Sequence, residues 1–302
     1  MSADPTALPL IICARLNETR AREANHHLPL ASAELIADGL RAAEAGAAIL
    51  HWHARDPAGT GLGDDPSLYW EVTEAIRARA DVLIEPGILF YRLPPADRVK
   101  HVTSAPAGLR PDIVPVEMGP FATDYWDPVA RQFVSLGGLY ELGNDRISGL
   151  LGLLRQHQQY VAAACWGPGQ VRTARCFQEA GLLGDRVLWE LVFTGQSFPG
   201  GQPPTLPLLQ ALLALLPQGD PWLTYTWNGD GFEMARWSIR LGGHVGIGLG
   251  DFDAPERPSV TNADLVRSVA AEAAAAGRSV ATAAEARQVL GLKSQPVPVP
   301  KS

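Results

Sequence analysis

Residues 10–18 read Leu-Ile-Ile-Cys-Ala-Arg-Leu-Asn-Glu, and this stretch separates two ways of building a large α/β fold. The apolar run Leu10 to Ala14 is typical of a strand that is buried on both faces. A doubly wound sheet that binds a dinucleotide would follow such a strand with a glycine-rich GxGxxG loop. The residues that follow are Arg15-Leu16-Asn17-Glu18, with no such motif near them. This favours a closed barrel over an open sheet.

Seven further apolar runs follow the first, and most of them end at Gly, Pro or Asn. They are Ala48 to His53, Val82 to Glu85, Ile113 to Met118, Tyr160 to Cys165, Val187 to Phe193, Trp222 to Trp227 and His244 to Leu249. Segments with helical spacing lie between the runs. They are Ala33 to Glu44, Ser67 to Arg79, Gln170 to Ala180, Leu206 to Leu215, Gly231 to Arg240 and Ala263 to Ala276.

Two less regular segments, Arg98 to Ala107 and Pro128 to Leu136, occupy the positions of the third and fourth helices. A strand followed by a helix, eight times over, predicts a (β/α)8 TIM barrel, because parallel neighbours need a crossover helix and the last strand can close on the first. We expect one barrel domain over residues 1–293. Thr282, with Glu285 three residues on, predicts a capping box for a last helix ending near Leu290. Residues 294–302, with three prolines, predict an extended tail.

Composition excludes several classes of protein. The 302 residues are 46% hydrophobic and 19% charged, with a formal net charge of −7, which disfavours binding to nucleic acid or to an anionic membrane. The number of cysteines is odd, and none has CxxC spacing; they are Cys13, Cys165 and Cys176. This argues for a reducing compartment and against a structural zinc cluster. The longest apolar stretches are far shorter than the roughly 18 residues of a membrane span. We therefore expect a cytoplasmic protein without nucleic-acid or membrane partners.

The string His51-Trp52-His53 ends the second predicted strand. Side chains two residues apart in a strand point to the same face, so both imidazoles are expected to aim at one place. The C-terminal ends of barrel strands carry catalytic groups, and paired imidazoles suit Zn²⁺ or another divalent ion. The alternative is a pair of histidines packed and hydrogen-bonded in the barrel mouth. The barrel position favours the metal.

The other histidines do not complete the pattern of an amidohydrolase barrel, which needs single histidines from later strands. None lies at the end of the fifth or sixth predicted strand; they are His26, His27, His101, His157 and His244.

Several strings together resemble the β-keto acid cleavage enzymes, over Pro9 to Leu292. The strings are residues 45–56 (Ala-Gly-Ala-Ala-Ile-Leu-His-Trp-His-Ala-Arg-Asp), residues 241–251 (Leu-Gly-Gly-His-Val-Gly-Ile-Gly-Leu-Gly-Asp), Pro29 to Ile36, Asn262 to Val266 and Ala281 to Arg287. The resemblance implies a TIM barrel and a zinc-dependent transfer between a β-keto acid and acetyl-CoA, giving a new CoA thioester and acetoacetate. It also implies a homo-oligomer, either a dimer or a tetramer.

The resemblance implies a partly changed site. His51 and His53 match the metal-binding histidines, and Asp251 is retained as a candidate catalytic residue. Gly250 stands in place of the third metal ligand, a glutamate, and Gly246 in place of a catalytic arginine.

Four more positions bear on the resemblance. Ala163 falls where the family has a glutamate on the fifth strand, and Pro115 where it has a threonine. Gly87 stands at a substrate-contact position, and Glu18 lies close to the family's first-strand glutamate. We therefore interpret Glu18 as a second candidate catalytic residue and Gly87 as a candidate substrate-binding residue.

Two histidines alone leave a catalytic zinc short of ligands, since such sites normally have three protein ligands and a water. Glu85 and Glu117 are the expected replacements for Gly250, because the third and fourth strands lie close to the histidines. Glu190 and Asp230 are further carboxylates at strand ends. A carboxylate in such a place can also be a helix cap or an arginine partner.

The missing arginine could be replaced by Arg15, Arg55 or Arg236, of which Arg15 is the candidate substrate-binding residue. Aromatic residues near strand ends predict an apolar mouth, although aromatic residues in such places more often belong to the core. They are Trp52, Phe90, Tyr91, Trp126, Trp166 and Trp227.

Two hypotheses of function remain. The first is metal-dependent C–C bond cleavage or acyl transfer on a small β-keto acid or related oxo-acid, with acetyl-CoA as a co-substrate and with chemistry that has diverged from the family reaction. The second is a family member that binds a metal or small ligand without catalysis, or a hydrolase or lyase that does not use CoA. Binding of acetyl-CoA discriminates between them.

Overall fold

The eight apolar runs fold as parallel strands, each buried between the barrel interior and an outer layer of helices. The computed structural model describes residues 8–56, 63–88, 92–253, 257 and 259–292. The barrel strands are β1 (Ile12–Arg15), β2 (Ile49–Trp52), β3 (Leu83–Pro86), β4 (Val114–Glu117), β9 (Val161–Cys165), β10 (Leu188–Thr194), β11 (Trp222–Trp227) and β12 (His244–Ile247). Four two-residue strands lie between β4 and β9: β5 (Phe121–Ala122), β6 (Trp126–Asp127), β7 (Gln132–Phe133) and β8 (Leu139–Tyr140).

The barrel strands follow the order β3-β2-β1-β12-β11-β10-β9-β4. Strand β1 pairs in parallel with both β2 and β12, so the last strand closes on the first. At the remaining seam, the amides of Asp112 and Ile113 donate to the Ile84 carbonyl, at 2.9 and 3.2 Å. The predicted (β/α)8 barrel is thereby confirmed as a nearly closed barrel.

Helices cover the outside of the barrel. They are α1 (Ser32–Glu44), α2 (Pro66–Arg77), α3 (Pro95–Arg98), α4 (Lys100–Thr103), α5 (Asn144–Gln156), α6 (Pro168–Glu179), α7 (Leu206–Leu213), α8 (Phe232–Arg240), α9 (Asn262–Ala275) and α10 (Ala283–Leu290), with a short 3₁₀ turn at Arg22–Ala24. The predicted third helix is two short helices, α3 and α4. Among the described residues, no helix is long and apolar enough to cross a membrane.

The alternation of side chains along each strand decides which residues reach the interior. Ile49 belongs to the apolar cluster inside the barrel, whereas Leu50 and Trp52 pack with the outer helices. This register turns His51 and His53 inward, as the sequence predicts. Helix α10 closes the opposite end of the barrel, and the predicted capping box at Thr282 is present.

The prediction of a helix over Pro128 to Leu136 is wrong, because the segment forms part of two antiparallel hairpins, β5 with β8 and β6 with β7. The Asp127 carboxylate accepts from the amides of Val129 and Ala130, at 2.8 and 2.9 Å, and Arg131 adopts a left-handed φ of 54°. A helix cannot run through that turn. The crossover helix is α5, and the predicted tail at residues 294–302 lies outside the described residues.

Candidate active site

A cavity of about 50 Å³ opens at the C-terminal end of the barrel strands. Its lining comes from β1 and the loop after it, and from β2, β3, β4, β9, β10 and β11 with the residues that follow them. The lining residues are Arg15, Glu18, His51, His53, Gly87, Ile88, Pro115, Glu117, Ala164, Trp166, Glu190, Tyr225 and Trp227. This is the end of the barrel at which TIM-barrel enzymes place their active sites.

Three ligand-type groups converge on one side of this cavity. Glu18 Oε1 lies 2.8 Å from His51 Nε2, and Glu18 Oε2 lies 3.2 Å from His53 Nε2. Among the described residues, this is the one group of three or more His, Cys, Asp or Glu side chains whose ligand atoms could share a metal ion. Two imidazole nitrogens and one carboxylate are a ligand set that catalytic zinc sites use.

Burial and neighbouring charges keep two of these groups, His51 and Glu18, in the protonation states that bind a metal ion. Burial lowers the pKa of His51 to about 4, against the opposing attraction of Glu18, so the imidazole is neutral at pH 7. Burial alone would raise the pKa of Glu18, but Arg15 and the two histidines hold that pKa well below its usual range. A neutral imidazole and an ionised carboxylate are the states that bind a divalent cation.

Asn17 positions His53 through the backbone. Its amide oxygen accepts from the His53 N–H and its amide nitrogen donates to the His53 carbonyl, both at 2.9 Å. The His53 ring then lies directly on Gly87, where an added Cβ would be 2.2 Å from ring atoms. Gly87 therefore lines the cavity in contact with the His53 ring. A serine at this position would require the His53 ring to move.

Glu18 has a strained backbone, with a left-handed φ of 42°. Arg55 holds this turn, because its guanidinium donates to the carbonyls of Glu18 at 2.6 Å and Arg20 at 2.9 Å. Arg55 is thus tied to the loop backbone, and Arg236 pairs with Glu272 at the surface. Of the three arginines considered, Arg15 is the one that lines the cavity.

The expected replacement ligands Glu85 and Glu117 lie elsewhere. Glu85 Oε1 is 3.2 Å from His51 Nδ1, the ring nitrogen that faces away from Glu18. This contact can orient the imidazole, as carboxylates behind metal-binding histidines do. Glu117 accepts a hydrogen bond from Tyr140 at 2.9 Å and does not join the group. The carboxylate nearest both imidazoles belongs to Glu18, because the turn after β1 brings it to them.

Arg15 is held on three sides. Its guanidinium stacks over the Tyr225 ring at 3.7 Å and makes ion pairs with Glu18 at 2.5 Å and Asp251 at 2.6 Å. Its Nη1 atom is inaccessible to solvent and lies 3.9 Å from Glu85 Oε1. Asp251 contacts Arg15 behind the cavity and does not line it, and burial raises the pKa of Asp251 to about 8 despite the arginine.

The glycines of β12 and the turn after it leave room for these side chains. A Cβ on Gly246 would lie 3.0 Å from Arg15 Cδ, and a Cβ on Gly250 would lie 2.6 Å from Glu18 Cγ. Arg15 and Glu18 therefore occupy the space into which side chains at those two positions would project.

The placement of Ala163 needs a correction. Its side chain packs with the outer helices, and its neighbour Ala164 lines the cavity. The inward position on β9 is therefore one residue later than the resemblance suggests. Glu190 on β10 is in register with Ala164, so its carboxyl lies beside this inward position.

Glu190 and Glu85 form a buried pair of carboxyl groups inside the barrel. Both side chains are fully buried. Burial raises the pKa of Glu190 to about 7, against the attraction of Arg15, and burial together with Glu190 raises the pKa of Glu85 well above its ordinary value. The pair can hold a proton near neutral pH.

Sequence reasoning missed Asn17 and Tyr225. Asn17 stands next to Glu18 at the end of the first strand, a position that could have identified it. Tyr225 lies inside an apolar run that predicts only a strand. The predicted aromatic mouth is present in Trp166 and Trp227, Trp52 is fully buried in the core, and Phe90 and Tyr91 lie outside the described residues.

Known proteins resemble this chain in sequence over almost its full length. Residues 9–292 match the model of the family described as beta-keto acid cleavage enzyme. The chain is 27% identical to the 3-oxoadipate:acetyl-CoA acetyltransferase of Cupriavidus necator, over 96% of this chain and 97% of that protein. It is 24% identical to the 3-keto-5-aminohexanoate cleavage enzyme of Fusobacterium nucleatum, over 90% of this chain and 93% of that protein.

A third relative and one solved structure extend the comparison. Identity is 25% to the 3-dehydrocarnitine:acetyl-CoA trimethylamine transferase of Rhizobium meliloti, over 93% of this chain and 96% of that protein. The apo structure of ObcA superposes with a TM-score of 0.69 at 15% identity, over 88% of this chain and 66% of that one. At that identity the likeness shows a shared fold.

Proposed function

Because the chain belongs to the β-keto acid cleavage enzyme family, we propose that it is an enzyme that transfers the acyl group of a small β-keto acid to CoA at the expense of acetyl-CoA. The observation that carries the proposal is the convergence of Glu18, His51 and His53 beside Arg15 in one cavity at the C-terminal end of the barrel. That arrangement offers a place for a divalent cation and a fixed positive charge for a substrate carboxylate.

The reaction balances without any further reagent. A β-keto acid R–CO–CH₂–COO⁻ and acetyl-CoA give R–CO–S–CoA and acetoacetate. The bond between C2 and C3 of the keto acid breaks, and C2 forms a new bond to the acetyl carbonyl carbon. The acetyl thioester bond breaks, and the sulfur forms a thioester with the released acyl group.

Glu18, His51 and His53 would hold the cation, which we propose is Zn²⁺ or another divalent ion. Such an ion polarises a keto oxygen as a Lewis acid. Arg15, the one arginine among the described residues that lines the cavity, would bind the substrate carboxylate through its guanidinium. Asp251 and Tyr225 would keep the guanidinium in place by a hydrogen bond and by stacking.

The substitutions at Gly246 and Gly250 favour retained family chemistry rather than its loss. The resemblance predicts an arginine and a glutamate at these two positions, one on the last strand and one in the turn after it. Here the first strand and its loop provide Arg15 and Glu18, whose side chains fill the same space. This supports acyl transfer by a rearranged set of residues.

The test combines metal analysis with a defined assay. The purified protein is loaded with Zn²⁺, its metal content is measured, and it is incubated with acetyl-CoA and a panel of β-keto acids while acetoacetate and new CoA thioesters are quantified. We expect about one ion per chain and turnover of at least one acid. The double variant His51→Ala/His53→Ala should lose the metal and the activity together, whereas His157→Ala, at the end of α5, should keep both.

Two outcomes would contradict the proposal. Metal binding without any effect of acetyl-CoA, in activity or in calorimetric titration, would favour a protein that binds metal or small ligands without CoA. Metal retained by the double variant would place the ligands elsewhere. The cytoplasmic location and the homo-oligomeric state, either dimer or tetramer, stay predictions.

A further inference from the structure

We propose that the outer part of the cavity binds a cationic group on the distal end of the substrate, an alkylated ammonium, between Glu117 and the ring carbons of Trp166 and Trp227. This rests on the proposed function and specifies its substrate. The site is a subsite of the same cavity, on strands β4, β9 and β11, whereas the metal-binding groups come from β1 and β2.

Two tryptophans form the apolar wall of this subsite. Trp166 follows β9 and Trp227 ends β11; both are half-buried and line the cavity, 6.4 Å apart between ring centroids. Their Nε1 atoms are inaccessible to solvent. The rings therefore present carbon to the cavity rather than their N–H groups.

Aromatic packing keeps this wall in place. Phe121, from the hairpin strand β5, stacks on Trp166 at 4.0 Å between centroids. Phe198 packs against Trp166 at 5.9 Å and against Trp227 at 6.3 Å. Because the Trp166 and Trp227 side chains are already held by these contacts, they lose little side-chain entropy when a ligand binds.

Glu117 supplies an accessible negative charge. Its side chain is 26% exposed, while the nearest cation, Arg98, is 1% exposed and lies 3.8 Å from Glu117 Oε2. Tyr140 links the two, because Arg98 donates to the Tyr140 hydroxyl at 2.6 Å and that hydroxyl donates to Glu117 Oε2 at 2.9 Å. The carboxylate therefore reaches the cavity, and the arginine stays behind it.

The subsite offers no matching partner for an anion. Arg15 is the one Lys or Arg side chain that lines the cavity within the described residues, and it is 4% exposed and paired with Glu18 and Asp251. The loop residues outside the described ranges (57–62, 89–91, 254–256 and 258) contain no lysine or arginine. A distal carboxylate would therefore face Glu117 without compensation.

These groups favour a cationic ligand over an anionic one. A cation over the face of a tryptophan ring is attracted by the ring electrons, and the attraction grows when water is excluded. A carboxylate in the same place meets a like charge, which is how a site rejects a wrong partner. Alkyl groups on the nitrogen add apolar contact with the indole rings, so an alkylated ammonium suits the wall better than a strongly hydrated primary one.

The test uses substrates that differ in the distal charge. One pair is 4-trimethylammonio-3-oxobutanoate and its neutral isostere 5,5-dimethyl-3-oxohexanoate, which differ by the replacement of N⁺ with carbon. The third substrate is the dicarboxylate 3-oxoadipate. With acetyl-CoA present, we expect kcat/KM for the cation to exceed that for the isostere by about tenfold or more, with the dicarboxylate slowest.

Two variants separate charge from structure. Glu117→Gln keeps an acceptor for Tyr140 but removes the charge, so the ratio of kcat/KM between cation and isostere should fall toward one. Tyr140→Phe removes the hydroxyl and keeps the charge, so the ratio should persist. If Glu117 only anchors Tyr140, both variants should change the ratio alike, and that result would overturn the proposal.

Binding distinguishes failure of this proposal from failure of the proposed function. The 3-hydroxy analogues of the matched pair cannot undergo the cleavage, and their affinities are measured by calorimetry on the metal-loaded protein. Tighter binding of the cation without turnover of any keto acid supports the subsite and refutes the acyl transfer. Equal or weaker binding of the cation, or faster cleavage of the isostere or of the dicarboxylate, overturns the subsite.

Discussion

Replacing Glu190 by Gln should stabilise the protein above neutral pH, because the native fold buries this carboxyl where its charge is unfavourable. Burial raises the pKa of Glu190 from an ordinary 4.5 to about 7. The native state then binds the proton more tightly than the unfolded state, so the free energy of unfolding falls as the pH rises from about 4.5 to about 7. With about 1.4 kcal/mol per pH unit, the loss is about 3 kcal/mol, and it is complete above this window.

Chemical denaturation of the metal-free protein measures this effect. The free energy of unfolding of wild type and Glu190→Gln is compared between pH 5 and pH 8, with Glu233→Gln on the exposed face of α8 as the control for net charge. The advantage of the Glu190→Gln variant should grow by about 1.4 kcal/mol per pH unit up to about pH 7 and then level off. Parallel stability profiles would refute the reasoning, since they would mean that Glu190 ionises in the fold as it does in the unfolded chain. Activity should fall in the same variant, because the carboxyl lines the cavity.

Two further predictions concern the stability of the fold. Gly250→Ala should destabilise the fold by about 1–3 kcal/mol, because its Cβ would lie 2.6 Å from Glu18 Cγ and 2.8 Å from the Glu18 backbone nitrogen. The control is Gly152→Ala in α5, where nothing lies within 4 Å of the added carbon, and this variant should be neutral or stabilising. Equal losses of stability in thermal denaturation of the two variants would contradict this prediction. His244 accepts from the Ile11 amide, and burial lowers its pKa from 6.5 to about 3. The native protein resists protonation of His244, so the free energy of unfolding falls as the pH drops below about 6.5, by about 2 kcal/mol at pH 5. His244→Asn keeps a hydrogen-bond acceptor and should not show this contribution to the loss of stability in acid. If urea titrations of this variant show the same acid dependence as wild type, the prediction is wrong.

The barrel can be predicted from the sequence because each strand is a short apolar run between turn residues. All eight predicted runs contain or overlap a barrel strand. The crossover helix α5 carries a helical pattern that the prediction missed, with Ile147, Leu150, Leu151 and Leu154 buried. The helix predicted instead over Pro128 to Leu136 is wrong because Asp127 and Arg131 form a turn there. Local hydrogen bonds of that kind override periodicity, and the sequence pattern does not record them.

The histidine pair is predictable from the sequence, whereas its carboxylate partner is not. His51 and His53 follow from the period of two along a strand. Glu18 lies in a turn with a left-handed backbone, so no periodicity fixes where its side chain points. Glu85 and Glu117 are on strands and are easier to place, but one faces the far side of His51 and the other bonds Tyr140.

The register of β1 with β12 explains why the polar groups and the glycines occur together. Cys13 pairs with Gly246 across these neighbouring strands, so Arg15 and the turn that carries Glu18 run alongside the end of β12. Two side chains cannot fill one space, and the added carbons at Gly246 and Gly250 would lie 3.0 Å from Arg15 Cδ and 2.6 Å from Glu18 Cγ. Side chains from β1 and the turn after it therefore reach the cavity because glycines stand at these two positions of β12 and the turn after it. In this chain, a side chain placed at Gly246 or at Gly250 alone should therefore displace Arg15 or Glu18 and disrupt the site.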